Sequence, residues 1–156
     1  MKHLLFIAII MVSLTGCNST AKKPQMAVGS IEQEQLLRTY QPFNEYFAQF
    51  SLTPEQIAKV KAWPNDIRFE VYFGTWCPDS QREVPKLLKA LMVNPQLNAD
   101  LIALDMHKTD PYNLAKKAKI KFTATFIVLK QDKEIGRVVE RPKNNLIDDI
   151  DALIKK

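Results

Sequence analysis

Apolar and polar residues alternate from residue 67 to residue 73, where the apolar positions are Ile67, Phe69, Val71 and Phe73. A period of two residues is typical of a β-strand with one buried face. Residues 101–104 form a continuous apolar run, which predicts a strand buried on both faces. Two further strands are expected at 125–129 and 135–139, on either side of the polar turn at 131–133.

Helical spacing appears between these strands. Pro78 suits the first position of a helix whose apolar residues are Val84, Leu87, Leu88 and Leu91, and Asn94-Pro95 ends it. Asp110-Pro111 predicts the start of a short helix that reaches about Ala118. A last helix follows Pro142 and carries the apolar residues Leu146, Ile147, Ile150, Leu153 and Ile154. The predicted order is therefore βαβ, then α, then ββα.

The segment before this unit is predicted to be helical. Ser30 and Gln33 have the spacing of a capping box and open a helical stretch that Pro42 interrupts. Thr53-Pro54-Glu55-Gln56 is a stronger helix start, and the helix should end before Pro64. The segment is rich in aromatic residues, which either pack on the domain's own sheet or form a partner surface: Tyr40, Phe43, Tyr46, Phe47 and Phe50.

The N-terminus has the pattern of a secretory signal. Lys2 is followed by an apolar run from Leu4 to Val12, which is too short to span a membrane. Leu14-Thr15-Gly16-Cys17 resembles the lipobox of bacterial lipoproteins, and the resemblance implies that Cys17 is lipidated and becomes the first mature residue. The alternative is an ordinary secretory signal followed by a free cysteine.

These features divide the chain into a lipoprotein signal peptide at 1–16, a lipidated tether at 17–29 and a domain at 30–156. The resemblance also implies a protein that faces the periplasm and is anchored in a membrane of the bacterial envelope. In the enterobacterial sorting pattern, Asp after the lipidated cysteine favours the inner membrane, so Asn18 favours the outer membrane.

Charge and composition exclude some functions. The formal charge of +5 includes Lys2, and residues 1–16 contain no acidic residue, so their removal leaves +4. This mild charge does not indicate nucleic-acid binding, and a solvated helix face explains the cluster of Lys116, Lys117, Lys119 and Lys121. The four glycines form no phosphate-binding loop, so neither a nucleotide nor another cofactor is predicted. With Cys17 acylated, Cys77 has no partner for an intramolecular disulfide.

Cys77 lies in the turn Gly74-Thr75-Trp76-Cys77-Pro78-Asp79-Ser80, between a predicted strand and a predicted helix. The region 67–156 resembles the thioredoxin family, whose dithiol members carry Trp-Cys-x-x-Cys at this point. Trp76-Cys77 matches the family's motif, Pro85 the proline of its active-site helix, Thr125 the strand after its cis-proline, and Gly136 its final hairpin. The resemblance implies an α/β thioredoxin-like fold, with a central mixed sheet flanked by helices and an N-terminal helical extension.

Three positions depart from the family pattern. Ser80 stands in place of the resolving cysteine, and Val71 in place of the buried acid that moves protons in dithiol turnover. Ala124 stands in place of the cis-proline. Because a cis bond before a residue other than proline costs about 2.5–4 kcal/mol, we expect a trans peptide there.

These departures leave two functions open. A helix N-terminus favours the thiolate of Cys77, Ser80 could donate a hydrogen bond to the sulfur, and Asp79 opposes the negative charge. An exposed Cys77 could exchange with thiols and disulfides of proteins without a resolving cysteine, with Trp76 and the loop Thr123-Ala124-Thr125 shaping the site. The alternative is a redox-inactive binding module of an envelope assembly. Gly74 stands where a peroxidatic site would have Thr. His107 lies just past the second predicted core strand, where an exposed loop residue is expected rather than a metal ligand.

Overall fold

The computed structural model describes residues 24–156, and these form a five-stranded mixed sheet in the order β1-β3-β2-β4-β5. The predicted signal peptide and the lipidation site Cys17 lie outside the described residues. The strands are β1 (Gly29–Ser30), β2 (Ile67–Phe73), β3 (Asn98–Ala103), β4 (Thr125–Lys130) and β5 (Lys133–Val139). The pair β2 and β3 is parallel and the other neighbours are antiparallel.

Six helices accompany the sheet: α1 (Gln33–Thr39), α2 (Gln41–Gln49), α3 (Pro54–Lys61), α4 (Pro78–Val93), α5 (Leu114–Lys117) and α6 (Leu146–Ile154). From β2 onward the order is βαβ, α, ββα, which confirms the predicted α/β fold. Leu101–Leu104 are all buried, as expected for a strand covered on both faces. None of the helices among residues 24–156 is long and apolar enough to cross a membrane.

The two predicted capping boxes had different outcomes. At α3, Thr53 Oγ1 accepts a hydrogen bond from Gln56 N at 3.2 Å and Gln56 Oε1 accepts one from Thr53 N at 3.0 Å, which confirms that box. The box at Ser30 was wrong, because Ser30 lies in β1 opposite Ile102. Helix α1 begins only at Gln33, and its N-cap Glu32 makes no side-chain cap bond. Pairing with β3 therefore replaced the local cap.

The N-terminal helices pack on the domain itself. Leu36 of α1 and Phe43 of α2 are fully buried in the main core, and the ring of Phe43 lies 5.7 Å from that of Phe73 in β2. Tyr46, one turn further along α2, is 41% exposed. The structure thus favours the intramolecular packing of the aromatic residues over a surface kept free for a partner.

Candidate active site

Cys77 lies where β2 leads into α4. It is the N-cap residue of this 16-residue helix, with Pro78 in the first turn, and its backbone N–H donates to Gly74 O at 3.0 Å. The unpaired amides and the dipole of a helix N-terminus favour negative charge close to that end. The structure therefore confirms the predicted position of Cys77 at a helix N-terminus.

The thiol of Cys77 is buried rather than exposed, with 7% of its surface accessible. Its Sγ donates a hydrogen bond to the backbone oxygen of Thr123 at 3.1 Å. The expectation of an exposed thiol was wrong because the loop before β4 lies against the sulfur. The sulfur thus lies at a helix N-terminus and is at the same time hydrogen-bonded to the carbonyl oxygen of Thr123.

The loop Thr123-Ala124-Thr125 is buried and tied to three parts of the chain. Besides the bond from Cys77, Thr125 Oγ1 donates to Phe122 O and Glu140 N donates to Ala124 O, each at 2.7 Å. The peptide between Thr123 and Ala124 is cis. The expectation of a trans peptide was wrong, because it considered only the intrinsic preference of the bond and not the contacts of the surrounding loop.

Ser80 is fully buried and faces the turn before Cys77. Its hydroxyl accepts a hydrogen bond from Gly74 N at 3.2 Å, so its observed partner is the backbone and not the sulfur that we predicted. Ser80 therefore stabilises the active-site turn in this structure.

Val71, at the position of the family's buried acid, is fully buried in the apolar core.

Trp76 is anchored at one end and partly accessible at the other. Its Nε1 donates to Leu104 O at 3.1 Å, and its ring lies over Gly74, where an added Cβ would be 2.6 Å from Cε2. The ring also lines a groove of about 700 Å³, whose other walls include Pro24, Met26, Tyr40, Thr75 and Gln81. Trp76 can thus serve both as an edge of the core and as a wall for a substrate.

The negative charge of Asp79 is balanced by two arginines. Arg82 Nη2 lies 2.7 Å and Arg141 Nε 3.3 Å from Asp79 Oδ1. The hydrogen bond from Arg82 is the main reason that the pKa of Asp79 is lowered; burial opposes it, and Arg141 adds to it. Sequence reasoning missed Arg141, because a contact across 62 residues leaves no local signal.

Glu83 was also missed, although an acidic residue directly before Val84 on the apolar side of a helix is a visible signal. It is almost completely buried, and its Oε1 accepts hydrogen bonds from Arg82 Nε at 2.7 Å and Lys86 Nζ at 3.0 Å. Its Oε2 has no hydrogen-bond partner among residues 24–156. The two basic neighbours compensate the charge of this buried carboxylate.

His107 lies in an exposed loop after β3, as predicted, and its backbone N–H donates to Asp105 Oδ1. Within the part of the chain that the structure describes, no group of three or more potential ligands could hold a metal ion.

Together these features define an α/β protein of the thioredoxin-like class, with one cysteine at the start of the helix that follows the first core strand. The family model described as Thioredoxin matches residues 30–147, and the chain belongs to the thioredoxin family. This membership supports a general role of the thiol-oxidoreductase kind. No curated protein sequence matches the chain.

Solved structures agree with this fold. A protein of unknown function from Pseudomonas aeruginosa is similar, with a TM-score of 0.66 and 18% identity over 81% of this chain and 92% of that one. An HIV epitope-scaffold has a TM-score of 0.60 and 19% identity over 81% and 83% of the two chains. Thioredoxin from Fasciola hepatica is 20% identical over 55% and 75%, with a TM-score of 0.40. At these identities the first two similarities show the fold alone.

Proposed function

We propose that this protein is a lipid-anchored, periplasm-facing thioredoxin-like protein whose single active-site thiol, Cys77, exchanges with disulfides of protein substrates. The observation that carries the proposal is the position of its sulfur. Sγ lies at the N-terminus of α4 and within hydrogen-bond distance of the backbone of Thr123. This is where a helix can stabilise a thiolate while the neighbouring loop guides a substrate towards it.

The exchange needs one cysteine on the enzyme. The Cys77 thiol loses its proton to water, and the thiolate attacks one sulfur of a substrate disulfide. A bond forms between the two sulfurs, the substrate disulfide breaks, and its other sulfur leaves as a thiolate that takes up a proton. A thiolate of the same substrate, or an external thiol, then attacks the mixed disulfide and releases Cys77. When the substrate's own thiolate does this, the cycle isomerises disulfides without net oxidation.

The other site residues have supporting roles in this proposal. Trp76, directly before Cys77 in the chain, offers a partly accessible wall, and its bond to Leu104 O fixes the orientation of the ring. The loop Thr123-Ala124-Thr125 shapes the opposite side, and Thr123 O must give up its bond to Sγ when the thiolate attacks. Ser80 does not act on the sulfur directly, but holds the turn through Gly74 N.

The proposed location rests on the N-terminal sequence. The lipobox resemblance at 14–17 supports acylation of Cys17, and several acyl chains would anchor the protein stably, since each buried CH₂ contributes about 0.8 kcal/mol. Asn18 supports the outer membrane over the inner one. Mass spectrometry of the mature protein should find an acylated N-terminal Cys17, and an unmodified residue there would contradict the anchor.

The alternative is a redox-inactive module that binds partners in the envelope. It is favoured by the burial of Cys77 and by the bond that ties Ser80 to the backbone, because both are also compatible with a purely structural role. The two functions make different demands on the sulfur. Exchange requires it, whereas binding should tolerate Cys77→Ser.

The deciding experiment uses the full chain with Cys17→Ala, so that Cys77 is the only thiol. Its rate of reaction with a peptide 2-pyridyl disulfide is measured in the folded protein and in the same protein unfolded in urea. Activation by the fold should make the folded rate the higher one by about tenfold, equivalent to about 1.4 kcal/mol of activation free energy. A version with Cys77→Ser controls for release that is independent of this sulfur. A folded rate at or below the unfolded one would leave the binding module as the function.

A further inference from the structure

The chain that leads to the proposed anchor is attached to the active-site loop. The backbone N–H of Ala27 donates to Thr75 Oγ1 at 3.2 Å, two residues before Cys77, and the hydroxyl of Tyr40 donates to Gln25 O at 2.7 Å. Pro24 and Met26 line the same groove as Trp76. The first described residues therefore lie beside the active site and not at the opposite end of the sheet.

The distance from this point to the anchor is limited by the covalent chain. Pro24 is seven residues after Cys17. Because an extended chain spans at most about 3.3–3.6 Å per residue, Pro24 cannot lie more than about 25 Å from the backbone of Cys17. Acyl chains on Cys17 would place that backbone at the bilayer surface.

The surface around the site suits a position next to a membrane. Three large apolar side chains near Trp76 and Cys77 are exposed: Met26, Met106 and Phe122. Met26 lines the groove, Met106 follows the strand end that binds the Trp76 indole, and Phe122 directly precedes the loop that contacts Sγ. Exposed apolar residues therefore adjoin, in the chain, the same active-site segments to which the N-terminal segment is attached.

We propose that the short connection from Cys17 to the attached segment Gln25–Ala27 holds Cys77 close to the bilayer surface, so that its substrates are disulfides of membrane-attached proteins. The inference rests on the proposed anchor and the proposed exchange chemistry. Confinement raises the effective concentration of a surface disulfide at Cys77 without any new contact. A disulfide that diffuses freely in the periplasm gains nothing from this arrangement.

The test uses the acylated full-length mature protein in vesicles of phosphatidylethanolamine and phosphatidylglycerol. Part of the phosphatidylethanolamine carries a 2-pyridyl disulfide directly on its headgroup, and the release of pyridine-2-thione gives the rate. A variant receives about 30 Gly and Ser residues between Lys23 and Pro24, which behave as a flexible coil. Since effective concentration falls roughly as the −3/2 power of tether length, its rate on the headgroup disulfide should fall about tenfold.

Three controls make the result specific. The same Gly and Ser segment added after Lys156 should leave the rate unchanged. A soluble peptide 2-pyridyl disulfide should react equally fast with the original and the lengthened protein. When the disulfide is displayed at the end of a long polyethylene glycol spacer, the difference between the two proteins should shrink, because both can reach it.

The possible failures are distinguishable. If the lengthened protein reacts with the headgroup disulfide as fast as the original, while both react with the soluble peptide, the surface position is refuted and the exchange function stands. If the original protein does not react with the soluble peptide, the exchange function fails first. If Cys17 carries no lipid, the anchor fails, and the geometric argument falls with it.

Discussion

At the scale of single residues, Gly74 shows how the active-site turn depends on the absence of a side chain. The indole of Trp76 lies so close to the Cα of Gly74 that a Cβ at Gly74 would be 2.6 Å from Cε2 and 2.8 Å from Nε1 of the ring. The ring is meanwhile held by Leu104 O. A side chain at Gly74 would therefore force the ring away from the groove that it lines.

We expect Gly74→Ala to lower the free energy of unfolding by about 1–3 kcal/mol, the usual cost of overpacking, and to displace Trp76. Urea denaturation and tryptophan fluorescence measure the two effects. Gly136→Ala is the matched control, since its Cβ would meet the end of the Leu153 side chain, which can move. If Gly74→Ala lowered the free energy of unfolding by no more than Gly136→Ala does, the ring of Trp76 would be free to move aside.

Asp110 stabilises the turn before α5 through its charge. Its carboxylate accepts hydrogen bonds from the backbone N–H groups of Tyr112, Leu114 and Ala115. Burial raises the pKa of Asp110, but the three bonds outweigh it and the pKa is lowered. The predicted start of this helix at Asp110 was wrong, because α5 begins at Leu114 with Asn113 as its N-cap, although the Asp110 carboxylate does accept bonds from the first amides of the helix.

Because the folded pKa of Asp110 lies below the unfolded value of about 3.9, the ionised carboxylate stabilises the fold above that pH. This contribution is lost as the pH falls through the folded pKa. Asp110→Asn should cost about 1–3 kcal/mol at neutral pH and should flatten the loss of stability below about pH 4. Urea denaturation across pH tests this, with the exposed Asp66→Asn as control. Parallel curves for Asp110→Asn and the original protein would contradict the assignment.

At the scale of elements, the start of α3 depends on residues that are close together in the chain, whereas the position of α3 in the fold depends on distant residues. The Thr53 capping box involves residues three apart, so the sequence alone predicts it. The docking of α3 on α6 depends on distant residues, among them Gln56 Nε2, which donates to Asn145 Oδ1 at 3.2 Å, and Lys59 Nζ, which donates to Asp148 Oδ1 at 2.8 Å.

Thr53→Ala should lower the free energy of unfolding by about 1 kcal/mol, because the N–H of Gln56 loses its acceptor. Thr53→Ser keeps a hydroxyl in the same place and should retain most of the stability. Urea denaturation of the three proteins gives both differences. If Ser and Ala at this position were equally destabilising, the methyl group of Thr53 and not its hydroxyl would carry the effect.

The elements that sequence reasoning missed are those with no periodic signal. Strand β1 has two residues, too few to show alternation, and it forms because β3 offers an edge opposite Gly29 and Ser30. Most strands and helices from Ile67 onward were predicted because each carries its own apolar pattern along several residues, whereas the short helix α5 was predicted from Asp110-Pro111. Local pattern and tertiary packing agree there, whereas at Ser30 the packing prevailed.

At the scale of the whole molecule, the N-terminal helices and the thioredoxin core share one interior. Phe43 of α2 lies between Tyr40 and Phe73, with ring centroids 6.5 and 5.7 Å away. Helix α2 also packs along α4, the helix that begins at Cys77. The extension should therefore unfold together with the core.

Phe43→Ala should cost about 3–5 kcal/mol and should leave a single cooperative transition in urea at a lower midpoint. Tyr46→Ala on the same helix, at an exposed position, should stay within about 0.5 kcal/mol of the original protein. Two separate transitions, with only the first one shifted by Phe43→Ala, would mean that the helices form an independent unit.

The sequence by itself determined the element order from Ile67 onward, the α3 cap, and the place of Cys77 between a strand and a helix, because each depends on residues close together in the chain. Only the tertiary structure decided what surrounds the sulfur. Thr123 lies 46 residues from Cys77 and covers it, and Arg141 lies 62 residues from Asp79 and balances its charge. Such contacts arise when the sheet brings distant strand ends together. No local pattern therefore predicts the burial of the thiol, the partner of Ser80 or the attachment of the N-terminal segment to Thr75.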